Sequence, residues 1–263
     1  MAPAVLVTVV LFGGALLGAV KQSVEPSLGG GPSTWNLDSW RTLLASPGFL
    51  DALRFSAQLA LIASVLAASL AVAVAVALRS HGRLVRSAFS LPVPVPHLLV
   101  AVVAFMWLSP GGLAQRALGR LPLRLVHDPL GLGVILVYVY KETPFLVLLL
   151  LAVMGSTLRE REEAAAVFGA SPFRVLIWVV WPVIRRPLLI GTMIVAAFVF
   201  GAFEVPLVLG PNYPLTLASY ALQAQQKSPL RGQGVAAASL LVAAGMSILI
   251  AAAVMRLART ADA

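Results

Sequence analysis

Residues 154–187 read MGSTLREREEAAAVFGASPFRVLIWVVWPVIRRP, the one long polar interruption in an otherwise apolar chain. Thr157 followed three residues later by Glu160 is the spacing of a capping box, in which the two side chains satisfy orphan amides and start a helix over Leu158 to Phe168. Gly169 then allows the left-handed backbone favoured just past a helix end. Ser171-Pro172 supplies an N-cap followed by the proline suited to a first helical position. The expectation is helix, tight turn, helix. The first arm carries charges and alanines. The second, Phe173 to Trp181, is largely apolar and is expected on the membrane surface or against membrane-spanning neighbours.

On both sides of this stretch the chain runs in apolar segments of near membrane-spanning length. Hydrophobic residues make up 60% of it and charged residues 11%, which excludes an ordinary soluble domain. The fold class expected is all-α, a polytopic membrane helical bundle with about six transmembrane helices. The spans are read at 2–20, 55–78, 88–108, 130–154, 188–209 and 236–255. The first lacks the basic flank of a secretory signal and is expected to stay in the mature protein. Pro92, Pro94 and Pro96 forbid a regular helix at the opening of the third, so that piece must be broken and packed inside the bundle.

The loops are polar. Residues 21–54 are rich in glycine and proline, with Trp35 and Trp40 suited to a membrane interface, and Leu43 to Leu53 is expected as a short surface helix broken by Pro47. Residues 210–233 form a polar outer loop. Arg79, Arg83 and Arg86 favour the cytoplasmic side for the loop after the second span. With the N-terminus inside, the inner loops and tail hold 10 arginines against 8 basic residues outside, Arg116, Arg120 and Arg124 among them, so the positive-inside rule supports this orientation weakly. The net charge of +9 fits arginines facing anionic membrane lipid rather than nucleic acid. The chain contains no cysteine, which excludes disulfides, thiolate metal sites and thiol catalysis.

Enzymatic chemistry has no foothold. No lysine follows a glycine, so a phosphate-cradling GxxxxGK[ST] loop is absent and any ATP that drives this protein is bound by another subunit. HExxH and GxSxG are missing, and His81, His97 and His127 are too dispersed for a metal site.

Charges inside spans remain, each costing about 2.5–3.5 kcal/mol at a helix centre. Lys141 and Glu142 sit in the fourth span beside Thr143-Pro144, either paired with a neighbouring span or lining a translocation path. Adjacent positions point about 100° apart, so both cannot face one partner helix squarely. Glu204, in Gly201-Ala202-Phe203-Glu204-Val205-Pro206, needs water, a cation or a basic residue, and Lys141 is the candidate partner. Gln58, His97 and Tyr138 are further path candidates. Gly13, Gly14, Gly18 and the small residues of Ala67 to Ala77 allow close helix approach.

The spacing Glu163-Ala164-Ala165, three residues, Gly169, nine residues, Val179, one residue, Trp181-Pro182 resembles the EAA motif of permease subunits of type I binding-protein-dependent ABC importers. That family usually has isoleucine where Val179 stands and leucine where Trp181 stands. The resemblance implies a single transmembrane domain over 1–263, with a core at 55–255 and a cytoplasmic coupling element at 155–187 that docks on an ATPase subunit. Carried over onto this sequence, coupling falls to Arg159, Arg161, Glu163, Ala164, Ala165, Gly169, Ala170, Ser171, Pro172 and Pro182. It also implies partners: two ATPase subunits holding ATP and Mg, a second permease subunit, identical or related, and an extracytoplasmic substrate-binding protein. The chain itself then holds no cofactor and both termini are cytoplasmic. The Gly201 to Pro206 stretch with Gly210-Pro211 is similar to the polyamine and ferric-iron branch, while the outer loops also suit a sugar, a glycerophosphodiester or a small anion. Two other classes are an ion-coupled secondary transporter or channel using Lys141, Glu142 and Glu204 as a relay, and a membrane scaffold.

Overall fold

The computed structural model describes residues 2–24, 35–79, 87, 89–119, 124–228 and 232–259, with side chains at all of these except 2–5, 156, 157 and 257–259. Arg83, Arg86, Arg120 and His81 lie outside the described residues. Among those described the chain is helical with no strand: α1 Ala2–Val24, α2 Asp38–Ala45, α3 Pro47–Leu78, α4 His97–Leu108, α5 Leu113–Leu118, α6 Leu132–Val153, α7 Ser156–Val167, α8 Pro172–Val175, a π-helical turn Leu176–Val180, α9 Trp181–Gly201, α10 Glu204–Leu209, α11 Leu217–Lys227 and α12 Gly232–Arg259. Among the described residues, six stretches are long and apolar enough to cross a membrane.

The core is built around α3, which packs against both α6 and α9. Lipid gives helices no hydrophobic reason to associate, so close packing must hold them, and small residues allow it. Ala63, Ala67, Ala71 and Ala75 recur at every fourth position and are buried to 1% exposure or less, forming the seam. From the facing side, a Cβ at Gly191 of α9 would lie 2.5 Å from Leu149 Cδ2 and 2.8 Å from Leu146 Cδ2 of α6. At 32 residues α3 is about 48 Å long. That exceeds an apolar layer of about 30 Å, so one end projects.

Several boundaries differ from the sequence reading. Pro47 does break the expected surface helix, but only α2 lies on its N-terminal side; the residues beyond it already belong to α3, with Pro47 in the first turn. The third span does open without helix: residues 89–95 are turns and a bend, and α4 begins only at His97. The fifth span begins well before Leu188, because α8, the π turn and α9 run on as one rod from Pro172 to Gly201. A π turn widens the hydrogen-bond ladder just before Pro182, whose missing amide and ring are then tolerated. The same span ends earlier, since Ala202 is extended and Glu204 opens the separate helix α10. The outer loop contains α11, capped by the Thr216 hydroxyl accepting from the Ser219 amide.

Side-chain contacts sort the two ends of the bundle. At one end the terminus of α3 meets α7 through Arg79 and Glu162. At the other, the Leu217 amide donates to Ser56 Oγ at 2.8 Å, the Tyr220 hydroxyl donates to Ser46 Oγ at 3.1 Å and the His127 amide donates to the Leu209 carbonyl at 2.9 Å. The Tyr213 hydroxyl also donates to the Asp51 carboxylate, which holds that phenol above its usual range.

Candidate functional site

The polar stretch folds as two arms around Gly169. Helix α7 starts at Ser156 with extended Gly155 as its N-cap, so Thr157 lies inside the first turn and the expected capping box is not the start signal. The turn is as expected: Gly169 has φ +78°. The Gly169 amide donates to the Ala166 carbonyl at 2.9 Å and the Ala170 amide to the Ala165 carbonyl at 3.0 Å. This is the Schellman pattern, in which the two amides beyond a helix satisfy its last free carbonyls. It gives the Ala165-to-Gly169 spacing a geometric meaning. Ser171 is extended and Pro172 occupies the first turn of α8.

Leu158, Val175 and Val180 are buried and root the two arms in the bundle. The tip is the opposite. Val167 and Phe168, at the end of the charged helix α7, are 84% and 90% exposed, and Phe173 and Trp178, on the rod that follows, are 70% and 78% exposed. Glu163, Ala164, Arg161, Gly169, Ser171 and Pro172 are exposed too, while Ala165 and Ala170 are half-buried. Arg159 Nε donates to Glu163 Oε1 at 2.9 Å, one turn on along α7. Pro182 stands apart from this group, roughly 15 Å along the rod from Pro172. Phe173, Trp178 and Glu162 are not among the residues expected from sequence to couple, whereas Val167 and Phe168 lie inside the expected run from Glu163 to Gly169. Aromatic side chains beside a charged segment are the signal that could have found the first two.

Deeper in the bundle, the spans gather a second polar group. His97 Nε2 and Glu142 Oε1 are 2.9 Å apart. The His97 ring lies 4.8 Å from that of Phe198 and 6.3 Å from that of Tyr138, centroid to centroid. Tyr138 is 1% exposed and its hydroxyl has no hydrogen-bond partner among the described residues. The Thr143 hydroxyl donates to the Val139 carbonyl at 2.6 Å.

Lys141 does not meet Glu204. Its ammonium donates to the carbonyls of Pro92, Val93 and Val95, and Glu204 stands exposed in the first turn of α10 without an ion pair to the described residues. Lys141 and Glu142 reach one neighbouring segment despite their 100° separation. At that level the neighbour is the bent run 92–97, which wraps around both. Gln58 is exposed on α3. Among the described residues no group of three or more His, Asp or Glu residues is placed to hold a metal ion.

Comparison with known proteins agrees with this architecture. The family described as binding-protein-dependent transport system inner membrane component matches residues 60–262. The inner membrane ABC transporter permease protein YnjC of Escherichia coli (strain K12) is 28% identical over 186 residues, covering 70% of this chain. This chain spans only 36% of the length of that relative. Among solved structures, a chain of a bacterial alginate ABC transporter in complex with an alginate pentasaccharide-bound periplasmic protein superposes with a TM-score of 0.78 at 18% identity, over 98% of this chain and 92% of that one. A chain of a bacterial ABC transporter involved in import of the acidic polysaccharide alginate gives 0.76 at 17% identity, over 97% and 93%. These likenesses are of fold. With a match over most of its length, a bundle of membrane-crossing helices and the capped turn at Gly169, the chain belongs to the family of binding-protein-dependent transport system inner membrane components and is a multi-pass inner-membrane protein.

Proposed function

We propose that this chain is one transmembrane half of an ABC importer, and that the turn around Gly169 receives force from an ATPase subunit which binds ATP and Mg in its place. The observation that carries this reading is the tip itself: Phe168 and Val167 stand almost fully exposed beside charged residues, on an element anchored by Leu158 and continuous through α8 with the spanning helix α9. Such an apolar tip is costly in water unless a partner covers it. The remaining partners in this reading are a second permease subunit, a second ATPase and an extracytoplasmic binding protein, with both termini on the ATPase side. Coupling then requires that ATP favour one permease conformation over another.

The solute path in this reading runs past Phe198, His97, Glu142, Tyr138 and Glu204, with Gln58 facing the second half. An exposed ring at Phe198 and an exposed carboxylate at Glu204 suit a hydroxyl-rich solute such as a saccharide. A transporter of similar fold was crystallised with an alginate pentasaccharide-bound periplasmic protein. The polyamine-like cation suggested by Gly201 to Pro206 gains no support from these relatives. Membrane vesicles containing the whole importer test the reading. Uptake should cease on ATP depletion with ion gradients clamped, whereas uptake that persists would favour an ion-coupled transporter.

A further inference from the structure

Lys141 lies inside a membrane-crossing helix and is 3% exposed, yet its partners are main-chain oxygens rather than a carboxylate. The ammonium lies 2.6 Å from the Pro92 carbonyl, 3.2 Å from that of Val93 and 2.6 Å from that of Val95. The cause is visible in Leu91-Pro92-Val93-Pro94-Val95-Pro96. In a helix the Pro92 carbonyl would accept from residue 96, and Pro96 has no amide to give. The Pro92 carbonyl keeps a turn bond from the Val95 amide at 3.3 Å, and those of Val93 and Val95 lack helical donors because the run before His97 is not helical, so acceptor capacity is left over beside a membrane-crossing helix, where it must be satisfied internally. An ammonium carries three donors, and three acceptors surround it. Bonds with one charged partner are about twice as strong as neutral ones.

We propose that Lys141 is a tethered cation: its ammonium fills a cage of the Pro92, Val93 and Val95 carbonyls and is the positioning residue that fixes the non-helical root of α4. All three of its donors are engaged, which leaves none for a solute. The root so fixed carries His97, which meets Glu142 of the same helix as Lys141 and the Phe198 ring of α9. Lys141 and Glu142 thus clasp one end of α4 to α6, while α9 meets it at the Phe198 ring. The cage is a property of this chain alone and stands whether or not the import reading does.

Hydrogen exchange of the full-length chain in lipid nanodiscs tests it, with mass spectrometry on peptides covering 89–96. Lys141→Met keeps the length of the side chain and removes its charge and donors, so exchange in this segment should accelerate about tenfold or more while amides in the middle of α12 keep their rates. Lys141→Ala should do the same. Propylammonium, the fragment that this truncation removes, should bring the rate back towards that of the native chain, whereas tetramethylammonium, a cation without N–H donors, should not. Unchanged exchange in Lys141→Met overturns the proposal, as does equal response or equal indifference to the two ammonium ions. Should neither neutral variant accumulate in folded form, Lys141→Arg decides: it retains charge and donors, so near-native exchange supports the cage and accelerated exchange contradicts it.

Discussion

Arg79 Nη1 donates to Glu162 Oε1 at 3.0 Å, joining the C-terminal end of α3 to the middle of α7 across 83 residues of sequence. Both side chains are mostly shielded, at 26% and 19% exposure. The pair is therefore less screened than a surface bridge, and it links the proposed force-receiving arm to the helix around which the core is built. Glu162→Ala should lower ATP hydrolysis stimulated by the binding protein while leaving expression near normal. The pairwise energy expected from a double-mutant cycle is about 1 kcal/mol. Exchanging the charges, Arg79→Glu with Glu162→Arg, should recover part of the lost stimulation; no recovery would separate the bridge from coupling.

Gly169 has open space where a Cβ would stand, but its φ of +78° disfavours any side chain. Holding a residue with a Cβ there costs roughly 1–2 kcal/mol. Gly169→Ala should weaken stimulated ATP hydrolysis modestly and Gly169→Val severely, with insertion little affected in either case. Parallel loss of insertion and activity in both variants, measured by purified yield and hydrolysis rate, would assign the glycine to folding alone.

The reverse holds at Gly191, where the backbone is ordinary and the space is not. Its would-be Cβ meets the ends of Leu149 and Leu146, so Gly191→Val must turn those leucines aside or push α9 away from α6. A destabilisation of about 1–3 kcal/mol is expected. Thermal denaturation in detergent should show a clearly lower midpoint, and trimming Leu149 to Ala in the same chain should restore part of it.

These contrasts show what was legible beforehand. The turn at Gly169, the helix start at Ser171-Pro172 and the absence of helix around Pro92, Pro94 and Pro96 were all readable, because each rests on one residue's backbone limits. The six spans were readable from apolar run length. What escaped depends on neighbours. Pro182 reads as a helix stop until a π turn is known to precede it, and Pro187 likewise sits inside α9. Glu204 reads as a residue within a span until the chain breaks at Ala202. Lys141 reads as needing a carboxylate until the carbonyls of the non-helical run 92–95 are seen to surround it.

Glu204 stands exposed at the first turn of α10, without an ion pair to the described residues. A carboxylate at a helix start is itself favourable, by about 0.3–1 kcal/mol. Glu204→Gln should leave the thermal midpoint almost unchanged yet alter the solute concentration for half-maximal uptake about threefold or more. An identical uptake profile would make the residue a simple helix-end charge.

The most direct test of the central claim uses the chain's lack of cysteine, which makes any introduced thiol unique. With Phe168→Cys at the exposed tip and Leu118→Cys, 79% exposed at the end of α5, as the control, a maleimide–benzophenone reagent, which is attached to the introduced thiol and on irradiation inserts into a neighbouring C–H bond, is applied to the assembled importer. The account predicts a covalent product between the Phe168→Cys chain and the ATPase subunit, with none from Leu118→Cys. Cross-linking from Leu118→Cys alone, or labelling of Phe168→Cys by an impermeant thiol reagent added outside intact cells, would contradict it.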